Sequence, residues 1–218
     1  DRGAMPTLQD LRNALLESGE EAGRELARSL EIYTEGSLGG FSNRTNVNPR
    51  SRFVVWDISK LGNELRTFGM MVILDQVWTR VARNKAQGRR TWLYIDEFPL
   101  LFANQYSADY FRAIYKRARK WGLLPTGITQ NIEELLANDA ARLMLANSDF
   151  LMLLGQNATD ADSLVDLLHL SEEQRRFIYG VPPGCGLMKS GTAMIPFDAR
   201  IPQDSQLYAL FNTQFGER

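Results

Sequence analysis

Two short apolar runs constrain this chain more than any other feature: TWLYID at 91–96 and LLPTGIT at 123–129, with an amphipathic stretch, 105–121, between them. A strand, a helix and a strand at this spacing make a βαβ step, which sets the two strands parallel and brings their C-terminal ends to one edge of a sheet. The alternation extends both ways. RFVVWDI at 52–58 is predicted as another buried strand, and DFLMLL at 149–154 as a fourth; apolar runs of this kind suit strands covered on both faces. A helix is predicted over 61–85 and two short ones over 131–147. Two more follow, with Thr159/Asp162 and Ser171/Gln174 as capping pairs, before a hairpin over 186–196 that turns at Ser190-Gly191. Ahead of all this come two helices, the first opened by a Thr7/Asp10 capping pair and the second over 20–33, and a Gly-, Asn- and Ser-rich loop at 36–49. The pattern is that of one α/β domain, a mainly parallel sheet with helices on both faces.

Composition removes several function classes. The 218 residues carry 25 Lys and Arg against 26 Asp and Glu, so bulk charge does not draw the chain to polyanions, and any such contact is local. One cysteine (Cys185) excludes an internal disulfide, and one histidine (His169) leaves little for zinc. His169 reads as a packed helical residue and Cys185 as a small loop residue. The longest apolar run, FGMMVIL at 68–74, is far short of the ~20 residues of a membrane-spanning helix.

The chemistry begins where the first of the two runs ends, in Asp96-Glu97. Adjacent carboxylates at the C-terminal end of a parallel strand lie where such sheets bind ligands. In phosphoryl-transfer enzymes one such carboxylate holds Mg²⁺ through water and the other orients and deprotonates the attacking water. A helix cap beside a solvated carboxylate would use the same residues. The following strand ends in Gln130, 33 residues after Glu97, so the same sheet edge receives an uncharged donor. Between them Arg112, Lys116, Arg117, Arg119 and Lys120 ride on 105–121, whose apolar side is read as Tyr106, Tyr110, Ile114, Ala118 and Trp121. Such a run serves as a solvated helix face, as an arginine reaching a neighbouring subunit's nucleotide, or as a phosphate-backbone contact. A second basic segment, 80–90, reads as a solubility feature. No Gly-Lys pair occurs anywhere, so the chain has no G-x-x-x-x-G-K-[ST] phosphate loop.

Together LYIDEFPLLF (94–102), YKRARKWGLLPTGITQNIEELL (115–136), LMLANSDFLMLLGQNATDADSL (143–164) and LSEEQ…PPGCGLMKSG…IPFD (170–198) resemble the ATPases of conjugation and type IV secretion machines, the CagE/TrbE/VirB group with its TraC-like relatives. The resemblance extends to MPTLQDL and EGSLGGFSNRTNV. Phe98-Pro99 departs from the Ala-Trp that many relatives carry after the Glu. The resemblance implies a RecA-like P-loop NTPase of the ASCE type, a three-layer sandwich, with these residues forming the later part of one motor domain. In that scheme 1–50 are a helical lead-in and loop, 51–198 the sheet core and 199–218 a C-terminal helix and tail. It implies ATP and Mg²⁺ as cofactors, Asp96 as the magnesium residue, Glu97 as catalytic base, Gln130 as phosphate sensor, and Arg117 or Arg119 as the arginine acting in trans. It further implies a homo-oligomer, usually a hexamer, working with the secretion channel and coupling proteins at the cytoplasmic, inner face of the bacterial membrane. Such a motor powers apparatus assembly or DNA and protein transfer, with DNA contact through 112–120 as an option. The alternatives are a non-catalytic docking or regulatory module of the channel, and a DNA translocase of the FtsK/HerA type.

In that family the phosphate loop lies upstream of all these motifs. The abrupt start without an initiator Met suggests a piece of a longer protein. Two expectations follow: the sheet is incomplete or rearranged beside strand 123–129, and these residues alone bind ATP poorly and are inactive.

Overall fold

The computed structural model describes residues 5–35, 38–46, 48, 51–102 and 105–211, with the side chains of 63, 64 and 106 excepted. Its contacts resolve into two compact units, 1–80 and 81–218, and the boundary falls inside one long helix.

The first unit begins with a helical hairpin. α1 (Leu8–Glu17) opens as its sequence predicts: the Thr7 hydroxyl accepts from the Asp10 N–H, and the Asp10 carboxylate accepts from the Thr7 N–H at 2.7 Å. Those two bonds satisfy donors that a helix start leaves free. α2 (Glu21–Thr34) packs back on α1, with Gly23 and Ala27 buried in the seam and Arg12 of α1 paired to Glu35. A 3-10 turn follows at Gly39–Ser42, inside the predicted loop, of which 36, 37, 47 and 49 lie outside the described residues. Phe68, on α3 (Asn63–Ala86), stacks on Tyr33 and meets Phe41 edge-on.

One expectation fails here. The run 52–58 forms no strand, and Phe53 and Val55 are 80% and 71% exposed. A strand is stabilised by ladder bonds to a neighbour, and among the described residues none pairs with this run; β-propensity alone does not make one.

In the second unit the βαβ step forms as predicted. β1 (Thr91–Ile95) and β2 (Leu123–Gly127) pair in parallel, Thr91 opposite Leu123 and Ile95 opposite Gly127. α4 (Gln105–Trp121) connects them and covers one face. Its buried stripe is Ala108, Phe111, Ile114 and Ala118. Phe111 therefore replaces Tyr110 as the main apolar anchor, and the Tyr106 side chain lies outside the described ones. The rest of the unit is a second sheet, antiparallel: β3 (Phe150–Leu154), β4 (Cys185–Ser190) and β5 (Ala193–Asp198) in that order. The hairpin turns at Gly191 (φ 59°), beside Ser190 as the sequence predicts. Its close approach requires glycine at 186 as well, because a Cβ there would overlap the Leu153 carbonyl oxygen.

The core of the second sheet gathers Leu151, Leu153 and Leu187 with Ile132, Leu164 and Ile178. These come from the strands and from α5 (Ile132–Leu136), α7 (Ala158–Leu168) and the segment after α8 (Glu172–Arg175). α6 (Asp139–Ala146) precedes β3, and α9 (Gln206–Phe211) closes the described chain. The Ser171/Gln174 capping box on α8 forms. The cap on α7 is Asn157, not Thr159: its Oδ1 accepts from the Asp160 N–H at 2.9 Å while its amide donates to the Asp160 carboxylate at 2.7 Å. His169, expected to be packed, is instead the exposed left-handed cap of α7 (φ 54°). Cys185 opens β4 rather than lying in the loop before it.

Two sheets thus stand where one is complete in the family scheme. On the side of β2 away from β1, no described strand pairs. Ile128 donates to Ile95 across the β1 side at 2.8 Å, so by the alternation of a parallel ladder residue 125 faces the other side. Proline there supplies no N–H to that edge. The outward residues of β1, Trp92 and Tyr94, and of β3, Phe150, Met152 and Leu154, are exposed. A parallel strand normally has both faces covered, and β1 keeps the apolar outward residues of such a strand although they are exposed.

Candidate functional site

The parallel pairing delivers Asp96, Glu97 and Gln130 to one end of β1 and β2. Ile95 hands its carbonyl to Ile128, and the Phe98 N–H donates back to the Ile128 carbonyl at 2.9 Å. These two bonds pull the chain after β1 against the chain after β2. Phe98 then turns inward, meeting Phe102 and Phe111 edge-on, and its ring lies over Gly127. A Cβ at Gly127 would sit 2.7 Å from that ring, so glycine is required for the close approach. With Phe98 anchored, the residue before it is fixed.

That residue is Glu97, whose backbone is left-handed (φ 49°). Left-handed backbone is unfavourable for a residue with a long side chain and clusters at functional sites. Asp96 is exposed and its Oδ1 accepts from the Glu97 N–H at 3.1 Å. Glu97 is half-buried, and its Oε1 accepts from Gln130 Nε2 at 3.3 Å. Residues 33 apart in sequence therefore touch. Gln130 is held near Glu97 by a local brace: Thr129 Oγ1 accepts from the Asn131 N–H at 3.1 Å, and Asn131 Oδ1 caps α5 through the Glu134 N–H at 3.1 Å.

The arrangement joins two carboxylates and a carboxamide at a solvent-facing edge. Oxygen donors of this kind suit a hard cation such as Mg²⁺ and its water shell. They also supply a base for a bound water, with an uncharged donor beside it. A triphosphate needs, in addition, a nest of backbone N–H groups ahead of a helix, and the sequence without a Gly-Lys pair does not contain the loop that forms it. The residues present fit the metal-and-water half of a nucleotide site and not the phosphate-gripping half. Among the described residues no group of three or more His, Cys, Asp or Glu side chains is placed to hold a metal, and the cluster here has two carboxylates and a carboxamide.

Arg117 and Arg119 are not brought to this cluster. They are exposed near the C-terminal end of α4, which runs back to the opposite end of the strand pair. From Gln105 to Arg117 the helix rises about 18 Å. Among the described residues neither arginine makes an ion pair, whereas Arg112 is engaged by Asp109 at 2.8 Å. Sequence reasoning missed three features: the left-handed Glu97, the Phe98 anchor and the Asn131 cap. A sequence signal existed only for the last, an Asn followed three residues later by Glu.

The family model described as the TraG P-loop domain matches residues 41–184. Among solved structures the chain is similar to VirB4 of Thermoanaerobacter pseudethanolicus, with a TM-score of 0.74, 24% sequence identity and 90% of this chain covered. That likeness is one of fold, and the chain spans 55% of the VirB4 chain's length. No curated protein matches the chain by sequence. Among the described residues no helix is long and apolar enough to cross a membrane.

Proposed function

The chain belongs to the TraG P-loop domain family, that of the conjugation and type IV secretion ATPases its motifs resemble, and from that premise we propose that it carries the water-activating half of an ATP-hydrolysing motor subunit. The observation that carries this reading is the 3.3 Å contact of Gln130 with Glu97 beside Asp96 at the ligand-bearing end of the parallel pair.

Bound Mg·ATP supplies the phosphoanhydride to be split and the positive charge that neutralises it. Asp96, exposed and oxygen-bearing, is the residue that would hold the magnesium. Glu97 accepts the proton of the attacking water at its carboxylate, and its fixed left-handed backbone keeps that carboxylate aimed at the edge. Gln130 donates to the water or the terminal phosphate without neutralising the base. Arg117 or Arg119, remote from their own cluster, serve a neighbouring subunit's nucleotide in a homo-oligomer, a hexamer in the family scheme. The motor works peripherally at the inner face of the membrane with the secretion channel and coupling proteins, powering assembly or transfer of DNA or protein.

The test uses a longer protein that includes an upstream phosphate loop. Glu97→Gln is expected to bind ATP as before and to lose turnover by about 10²–10⁴-fold, the range of a general base. Unchanged turnover would remove Glu97 from the role. The 218 residues alone are expected to bind Mg·ATP poorly by calorimetry; micromolar affinity would show that the phosphate cradle lies within them.

A further inference from the structure

The peptide group between Glu97 and Phe98 has both of its polar atoms engaged. Its carbonyl accepts from the Leu100 N–H at 3.0 Å, and its N–H donates to the Ile128 carbonyl at 2.9 Å. With the bond from the Glu97 N–H to Asp96 Oδ1, these hold Glu97 in its left-handed conformation. The first of them opens the 3-10 turn Phe98–Phe102. Such a turn is a weak support by itself, because its hydrogen bonds are poorly aligned and its last carbonyls find no partner within it. One of those carbonyls belongs to Leu101, a residue only 1% exposed. The Ser107 hydroxyl donates to it at 2.6 Å, and Ser107 is itself buried. A buried acceptor left without a donor is costly, so this bond closes the far end of the turn.

Ser107 is a polar residue on a helix face that is otherwise apolar. It stands in the first turn of α4, on the buried stripe that continues through Ala108, Phe111 and Ile114. Serine hydroxyls near a helix start commonly serve the backbone of their own helix. This one reaches out of the helix, to a carbonyl six residues earlier. Ser107 and Phe111 are four residues apart and so share one face of α4, a turn from each other. Phe111 meets the Phe98 ring edge-on with centroids 5.3 Å apart, and Ser107 holds Leu101, so α4 grips the turn at two points. We propose that Ser107 is a positioning residue for Glu97. Being buried, it does not reach the solvent-facing edge where the water is split; it acts by fixing the turn whose first carbonyl is that of Glu97. Alanine would pack nearly as well in that place, and the carbonyl it serves accounts for the hydroxyl. A displacement of about 1 Å in a reacting group can cost about 10²-fold in rate, so a small relaxation of this turn is felt at the carboxylate.

The inference rests on the reading of Glu97 as proton acceptor, and a double-mutant cycle separates the two. In the longer protein that includes the phosphate loop, Ser107→Ala, confirmed folded by circular dichroism, is expected to lower kcat about 10–10²-fold. The Kd for Mg·ATP, measured by calorimetry, is expected to stay within about twofold, as for a group that matters only in the transition state. Added to Glu97→Gln, the same substitution is expected to lower the residual turnover by no more than about twofold, because the base that it positions is already gone. A role in folding alone would lower turnover equally in both backgrounds. If Ser107→Ala does not fold, Ser107→Cys, similar in shape but a weak donor, takes its place in the cycle and is expected to lose turnover in the parent background alone. Unchanged kcat, or an equal loss in both backgrounds, would overturn the inference and leave Glu97 as the base. Parental turnover in Glu97→Gln would overturn the assignment of the base, and this inference with it.

Discussion

The two ends of the β1–β2 pair are joined by the same helix and carry opposite chemistry. At the C-terminal end the side chains are tied to one another: Gln130 to Glu97, Asp96 to the Glu97 backbone, Asn131 to α5. At the N-terminal end the exposed cations Lys85, Arg89 and Arg90, with Arg117 and Arg119 of α4, are tied to nothing charged among the described residues, and only Lys85 has a partner, the Trp121 ring. The first pattern holds a geometry, and the second holds a potential. A site that must place a proton acceptor within a fraction of an ångström needs hydrogen bonds and a strained backbone. A surface that attracts a partner needs only sign and exposure.

Substitutions at the two ends should therefore fail differently. After substitution of Glu97 itself, the largest effect is expected from Gln130→Ala in a protein that includes the phosphate loop, with turnover falling about 10²–10³-fold, as on removal of a single positioned donor. Nucleotide affinity measured by calorimetry should change much less. If turnover and affinity fell together, Gln130 would be a binding residue and the distinction between the ends would blur. Gly127→Ala is expected next: the added Cβ meets the Phe98 ring, destabilising the chain by about 1–3 kcal/mol in denaturant titration. No loss of stability there would mean that the Phe98 anchor does not set Glu97. Asn131→Ala removes the cap of α5 and is expected to cost about 1 kcal/mol.

At the cationic end Arg90→Ala should change stability by no more than about 0.5 kcal/mol, as for an exposed side chain without partners. A larger loss would show that this end, too, is held together by contacts. The smallest effect lies away from both. Side-chain hydrogen bonds from Arg200 hold the Asp198 carboxyl well below the ordinary carboxylate range. A depressed folded value contributes stability above the unfolded value, which is lost as pH falls through the ordinary range toward the folded one. Being fully exposed, the pair should give Asp198→Asn a pH–stability curve only slightly flatter in acid than that of the parent.

Much of this was legible in the residues. The spacing from Glu97 to Gln130 placed both at one sheet edge because a βαβ step has a fixed handedness and direction. The bounds of α4, the hairpin and the Thr7 and Ser171 caps followed from local chemistry. What the sequence hid depends on neighbours. RFVVWDI has the composition of a strand, but no described segment lies beside it to pair, so its propensity goes unused. Phe111 looks no more buried than Tyr110 until Phe98 is seen resting on it. The left-handed turn at Glu97 has no glycine to announce it, because tertiary contacts on both sides impose it. The concentration of charge needed the fold as well: 83–90 and 116–120 are unremarkable runs until the Thr91–Gly122 bond sets them side by side.

The account rests on Glu97 as the proton acceptor at the carboxylate end, and chemical rescue tests that most directly. In a protein carrying the phosphate loop, Glu97→Ala is expected to lose turnover and to regain part of it when formate is added, because a small carboxylate can occupy the space left and take the proton. Turnover of Glu97→Ala equal to that of the parent, with no response to formate, would contradict it.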